Sequence, residues 1–444
     1  MARTPLDLHD VQANVLRPVA YPLATYVFLE VQHRPRAAAW LHGLLPSVTT
    51  AAPWSVKPHV VTTVAVSNSG LGAFGVPVSV RDSFPTAFRD GMAARASVLG
   101  DSGASDPSHW DAPHAGAAHL LVTLHTRNLD ELARAVDELE RSAGDGGLAV
   151  HTQQPAHRLL HDREHFGFVD GMGQPAVAGV ATAPPAQGSP PSHWWQRAWR
   201  PLAVGEFVHG HPDNDGVPGP APMAPFARNG TFTVYRKLAQ DVPGFRAHVD
   251  EQARRRGLDP DLVAAKLVGR WQDGTPLVLS PDAPDPELAA DPRRVNDFGY
   301  RDDVDGYRCP VGAHIRRANP RDALGFGASI TGRHRMLRRG MPYGREFDPA
   351  RGEDEERGLV FVAHVADIER QFEFVQAQWC NDGDAFGLGT DSDGVLGGQG
   401  KMTVQGNPPW FVSPLGRFVT TRAGIYLYTP SMTGLRALAT GGAS

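Results

Sequence analysis

The chain has 444 residues, 41% of them hydrophobic, and 43 Lys and Arg stand against 48 Asp and Glu for a formal charge of -5. That is enough apolar material for the cores of about two domains, while no run approaches the eighteen or so apolar residues of a membrane span and no basic excess is present to hold a nucleic-acid backbone. Cys309 and Cys380 make neither a disulfide framework nor a CxxC metal site, and the start MARTPLDLHD lacks the apolar segment of an export signal. The expectation is a soluble cytoplasmic protein with no nucleic-acid or membrane partner.

The first elements follow from periodicity. ATYVFLEVQ (24–32) is β-branched and aromatic, RAAAWLHGLL (36–45) is helical in composition, and HVVTTVAVS (59–67) is again a strand. AHLLVTLHT (118–126) then runs into NLDELARAVDELERSA. There Asn128 caps a helix, Glu131 completes a capping box, and Leu129, Leu132, Val136 and Leu139 share a face, before GLAVHT extends once more. Two β-α-β units in series predict the ferredoxin-like β-α-β-β-α-β arrangement, an antiparallel sheet with helices on one side.

From 181 to 226 the chain turns to ATAPPAQGSPPSHWW and HPDNDGVPGPAPMAP, too rich in Pro and Gly for regular elements. HPDNDG has the look of a calcium loop, but with Gly216 as the central glycine the first ligand position falls on His211 and the last on Pro222. A solvated turn is expected. Beyond it, GTFTVYRKL (230–238) reads as a strand and DVPGFRAHVDEQARRRG as a helix stopped by Gly257. GLVFVAHVA (358–366) reads as a strand leading into a helix on which Ile368, Phe372, Val375 and Trp379 recur, and RFVTTRAGIYLYTP (417–430) closes with strands. The second half therefore repeats the order of the first. The division is an N-terminal ferredoxin-like domain over 1–180, a connection over 181–226 and a C-terminal ferredoxin-like domain over 227–444. The tail TGLRALATGGAS is read as a frayed end.

Three segments carry chemistry. HFGFVDGMGQP (165–175) sets Asp170 among Gly167, Gly171 and Gly173, a loop able to turn sharply and approach a bulky group, although Asp beside Gly is also ordinary turn chemistry. CPVGAHIRRANPRD (309–322) sets His314 beside Arg316, Arg317 and Arg321. That suits a haem, whose iron takes an imidazole and whose propionates take cations, better than zinc, for which no further ligands are grouped. HRMLRRGMPYG (334–344) carries Arg338 and Arg339, a pair that at a helix end would simply point into water.

GFVDG, CPVGAHIRRANPR, LRRGMPYG and LVFVAHVADIERQFEFVQAQW, in this order, resemble the dye-decolourising (DyP-type) peroxidase family, in its longer branch without a secretion signal. DVQANVLRPVAYPLATYVFLEV and VTTAAPWSV add to the likeness, which spans nearly the whole chain. The resemblance implies an α+β fold of two ferredoxin-like domains with antiparallel sheets enclosing haem b. It implies a peroxidase that reduces hydrogen peroxide through a ferryl haem and oxidises dyes, phenolics or other one-electron donors, and it leaves a homo-oligomer open. Carried over by residue, it makes His314 the proximal iron ligand, Asp170 the distal acid and Arg338 the distal arginine, with Arg339 the weaker candidate. Glu369 would hydrogen-bond the far nitrogen of His314, with Asp367 the alternative, and Arg316 would meet a propionate, as Arg317 or Arg321 also could. Gly171 would let the distal loop lie against the porphyrin. Trp379 and Trp410 are candidates for surface electron transfer, with core packing the competing role. The other functional class to weigh is a carrier, sensor or haem-processing protein of the same fold.

Overall fold

A computed structural model describes residues 6–111, 118–181, 187–188, 199–324, 329–351, 355–397 and 400–440. Much of the Pro-rich stretch expected to connect the halves, 182–186 and 189–198, lies outside the described residues, as do the first five residues and Gly441–Ser444.

The first half contains β1 (Leu23–Val31), α1 (Arg34–Leu44), β2 (Val60–Val66), β3 (Leu120–Thr126), α2 (Leu129–Asp145) and β4 (Leu148–His157). The strands read as near-continuous apolar runs because both of their faces are covered. On β1, Val27 and Leu29 enter a core shared with α1 and α2, while Ala24, Tyr26 and Phe28 enter a second core on the opposite face. Asn128 caps α2 by accepting the Glu131 N–H at 2.8 Å, as expected, but the Glu131 carboxylate is bound to His59 at 2.9 Å. Leu132 and Leu139 are buried; Leu129, at the first helical position, is 69% exposed.

The second half supplies β5 (Thr231–Gln240), α3 (Val242–Arg256), α4 (Pro260–Val268), α5 (His314–Ala318), β6 (Leu337–Arg338), β7 (Met341–Tyr343) and β8 (Gly358–Val365). A π-helical segment follows at Glu369–Glu373 and Val375–Asn381, then β9 (Met402–Val404), β10 (Trp410–Val412), β11 (Val419–Thr429) and α6 (Met432–Ala439). Gly257 caps α3 with φ 65°. Ile368, Phe372, Val375 and Trp379 are buried as their spacing predicts, but the backbone is wound more widely, with Glu373 N–H donating to Ile368 O at 3.0 Å.

The main sheet has nine strands in the order β4-β1-β3-β2-β11-β5-β8-β6, with β7 also on β8. Each half thus takes the ferredoxin-like order of fourth, first, third, second strand, β6 and β7 sharing the second place. The halves do not keep separate sheets: Tyr428 of β11 pairs with Val66 of β2. At the other end β4 and β7 meet, so the sheet curls into a barrel around Tyr26, Phe28, Tyr235 and their neighbours. Among the described residues no helix is long and apolar enough to cross a membrane.

Several local expectations are corrected. LRRGMPYG forms β6 and β7 rather than ending a helix. HPDNDG is a turn, but His211 and Asp213 are buried, His211 bonding Asn229 at 2.7 Å and Asp213 accepting the Asp215 N–H at 2.9 Å. The tail is helical as far as Ala439, with Leu435 and Leu438 fully buried.

Candidate active site

His314 opens α5 just after a tight turn in which Ala313 N–H donates to Pro310 O at 3.0 Å. Its Nδ1 donates to Asp393, 3.0 Å from Oδ2 and 3.1 Å from Oδ1. Asp393 is completely buried, its Oδ1 also accepts the Val395 and Leu396 N–H groups at 2.8 Å each, and the Cys380 thiol hydrogen-bonds the same carboxylate. Burial opposes charge on both members of the pair, yet their mutual attraction and hydrogen bond outweigh it. Asp393 is held below the usual carboxylate range and His314 above the usual imidazole value. With Nδ1 so engaged, Nε2 carries the free lone pair and has no partner among the described residues.

Asp170 stands on the loop that follows β4. That loop is pinned from below: Glu164 accepts the Phe166 and Phe168 N–H groups at 2.9 Å each, and both phenyl rings are buried in the core of the second half, Phe166 4.5 Å from the Phe245 ring. Gly167 and Gly171 hold φ angles of 101° and 81°, which side chains rarely adopt, and a Cβ added to Gly171 would meet nothing within 4 Å. The loop therefore leaves open space beside Gly171, the residue after Asp170.

Arg338 reaches the same place from β6. Its Nη1 lies 3.7 Å from Asp170 Oδ1, with the two side chains 37% and 41% exposed. Gln174 ties the pieces together by accepting the Arg338 N–H at 3.1 Å and Arg339 Nη1 at 3.4 Å, and Arg335 donates to Gly173 O at 2.8 Å. The charges of Arg338 and Asp170 both act on His314, the first lowering and the second raising its pKa, so all three groups share one region.

Other expectations fail on geometry. Glu369 is not beside His314; it is half exposed and pairs with Arg95 at 3.4 Å, while Asp367 accepts the Arg370 N–H at 2.9 Å. The carboxylate on His314 is Asp393, in a DSDG run whose composition is that of any polar turn. Arg316 does not face open space either: it is buried, bonded to Asp303 Oδ2 at 3.1 Å and to the carbonyls of Cys309, Asp303 and Val304, with Tyr300 stacked 4.6 Å away. Arg317 is spent on the carbonyls of Trp379, Asp382 and Asp391. Arg339 is held by Asn14 O and Val15 O at 2.8 and 3.1 Å. Trp379 is a core residue against His334 and Phe374, and half-buried Trp410 stacks with Arg256 at 4.5 Å.

The family of the DyP dimeric alpha+beta barrel domain matches residues 10–158, and the Dyp-type peroxidase C-terminal family matches residues 267–387. Fold and matches together define the class as a DyP-type peroxidase, an α+β barrel enzyme. The chain is 30% identical to a dye-decolorizing peroxidase of Mycena epipterygia over 98% of this chain and 87% of that protein. It is 29% identical to the multifunctional dye peroxidase DyP2 of Amycolatopsis sp. (strain ATCC 39116 / 75iv2), covering 98% and 96%. The crystal structure of a fungal DyP-type peroxidase from Auricularia auricula-judae superposes with a TM-score of 0.83 at 26% identity, covering 98% of this chain and all of that one. A dye-decolorizing peroxidase in complex with 2,6-dimethoxyphenol superposes equally well, with a TM-score of 0.83 at 26% identity and coverage of 98% and 100%. The chain belongs to the dye-decolourising peroxidase family, whose members depend on haem.

Proposed function

We propose that this enzyme is a haem b peroxidase in which His314 is the iron ligand, Asp393 orients it, and Asp170 with Arg338 handles hydrogen peroxide. The observation that carries this is the Asp170–Arg338 pair, 3.7 Å apart and near enough for both charges to act on an imidazole whose outward nitrogen is free.

The residues suit the group. Arg270, Arg321 and Arg335 are buried and Arg339 is partly so, none makes an ion pair among the described residues, and their pKa values are pushed down, to about 9 for Arg270 and Arg335 and about 10 for Arg321 and Arg339. Burial is the main cause in each, with neighbouring arginines adding to it at Arg270, Arg335 and Arg339. A region with such uncompensated positive charge favours the carboxylates of a propionate-bearing cofactor. Open space beside Gly171 gives a flat group a place to lie against the loop.

Haem b, when bound, supplies the iron that takes up peroxide and stores its oxidising equivalents. The chain supplies proton movement and charge. With the haem in place, Asp170 would take a proton from one oxygen of hydrogen peroxide and return it to the other. Arg338 stays charged throughout and stabilises negative charge on the departing oxygen. Asp393 keeps the His314 lone pair aimed outward and makes the ring more basic. The reducing substrates in this reading are dyes and phenols, supported by the phenol bound to the structural relative. A haem carrier or sensor would have no use for a paired acid and arginine held together by Gln174.

Rapid mixing of the haem-loaded protein with peroxide tests the proposal. Asp170→Asn and Arg338→Leu should each slow the spectral change by roughly 10²–10³-fold while haem stays bound. His314→Ala should lose haem or its imidazole-ligated spectrum, whereas His161→Ala should not. Loss of less than about tenfold in both distal variants, below the usual effect of a missing acid or base, would end the catalytic assignment of the GFVDG loop.

A further inference from the structure

Among the described residues of the barrel interior, one polar cluster is contributed by both halves. Thr63 and Thr123 face each other directly across β2 and β3. From the second half come Thr233 on β5, His364 on β8 and Thr429 on β11, with Thr233 opposite His364 in the β5–β8 register. These five line a cavity of about 20 Å³, along with residues that include Asn14 and Val15.

Half of the cluster is internally bonded. His364 Nδ1 lies 3.0 Å from Thr233 Oγ1, which lies 2.6 Å from Thr429 Oγ1. The rest is not: His364 Nε2 is buried without a partner, the residue being only 3% exposed, and the hydroxyls of Thr63 and Thr123, which line the same cavity, make no hydrogen bond among the described residues. Leaving a buried hydrogen-bonding atom unpaired costs about 1–3 kcal/mol, so His364 Nε2, at a cavity that also holds two unbonded hydroxyls, points to a resident partner.

We propose that the cavity is a built hydration site, in which one water molecule bonded to His364 Nε2 and to the Thr63 and Thr123 hydroxyls joins the two halves of the barrel from within. The volume suits one water, which needs about 10–15 Å³, and leaves no room for an organic ligand. The chemistry excludes a cation: the lining has no carboxylate, and the one charged group acting on His364, Arg339, is positive. Water both donates and accepts, so it satisfies either neutral tautomer of His364 and both hydroxyls. Burial and Arg339 keep that ring neutral. Asn14 and Val15, on the cavity wall, are also the residues whose carbonyls seat Arg339, and His364 pairs across the sheet with Leu337, the neighbour of Arg338.

Diffraction from crystals of the haem-loaded protein at a resolution that shows ordered water tests this. Wild type should show a peak about 2.7–3.2 Å from His364 Nε2 and from a Thr63 or Thr123 hydroxyl. The Thr63→Val/Thr123→Val double variant keeps the side-chain shape and should lose it, together with the long-lived water signal to the His364 ring by NMR; His364→Phe should lose it too. An empty cavity in wild type, or a peak unchanged in the double variant, overturns the proposal.

Discussion

Asp393 reaches His314 from 79 residues further along the chain, and its carboxylate is shared among an imidazole, two backbone N–H groups and a thiol. Each additional donor draws electron density that would otherwise go to the ring, so the donor set fixes how basic His314 is. Asp393→Asn should therefore weaken ferric relative to ferrous ligation. If the loss is the ten- to hundredfold typical of an outer-shell partner, the reduction potential rises by about 60–120 mV for this one-electron couple. Cys380→Ala should move the potential by a smaller amount in the opposite direction, since it returns density to Asp393. Glu369→Gln should leave it unchanged, because that residue pairs with Arg95 at the surface. Spectroelectrochemical titration of the three variants decides among these.

The loop from Glu164 to Pro175 works as a unit because its ends are anchored in different places. Phe166 and Phe168 are buried in the second half's core, Glu164 gathers their N–H groups, and Gln174 ties the far end to Arg338 and Arg339. Phe166→Ala removes a buried ring and should cost about 3–5 kcal/mol in urea unfolding. At Gly171 the constraint is backbone conformation and not space: with φ 81° and no neighbour near the added Cβ, Gly171→Ala should destabilise by about 1–2 kcal/mol. Because the same turn aims Asp170, this variant should also slow reaction with peroxide. A normal rate with lowered stability would separate the turn's structural role from its catalytic one.

Across the molecule, the pH dependence of stability is set by histidines sealed in the barrel and its surroundings. Burial lowers the pKa of His125, His165 and His209 to about 4 and that of His364 to about 3. In the unfolded chain each titrates near 6.5. Between about pH 6.5 and 4 the unfolded state therefore binds more protons at these four groups, and their contribution to stability falls as pH falls through that window, by up to about 1.4 kcal/mol per pH unit for each such group. Urea unfolding of the haem-free protein at pH 7, 5.5 and 4.5 should show this decline, and His209→Gln should flatten it. Catalysis by an aspartate is suited to the acid side of neutrality, where a histidine base is already protonated. The acid limit of turnover should thus coincide with loss of folded protein. Circular dichroism measured beside turnover at each pH checks the coincidence; an enzyme fully folded yet inactive at pH 4.5 would contradict it.

What the sequence determined by itself was local: periodicity located β1, β2, β3, β5, β8 and β11 to within a few residues, Asn128 and Gly257 marked helix ends, and the GFVDG, AHIRR and LRRG runs marked the segments that carry Asp170, His314 and Arg338. These follow from near-neighbour spacing, which a single chain records directly. The tertiary structure decided what depends on distant meetings. It joined both halves into one sheet through Tyr428 and Val66, chose Asp393 over Glu369 as the partner of His314, and turned Arg316 inward onto Asp303. Glu369 sat in the more conspicuous block, but on the π-helical segment it projects toward Arg95, whereas the unremarkable DSDG turn is folded into the core and its buried carboxylate must find hydrogen-bond donors, of which the His314 Nδ1–H is one. Which acid meets which base is a matter of packing, and composition alone carries no record of it.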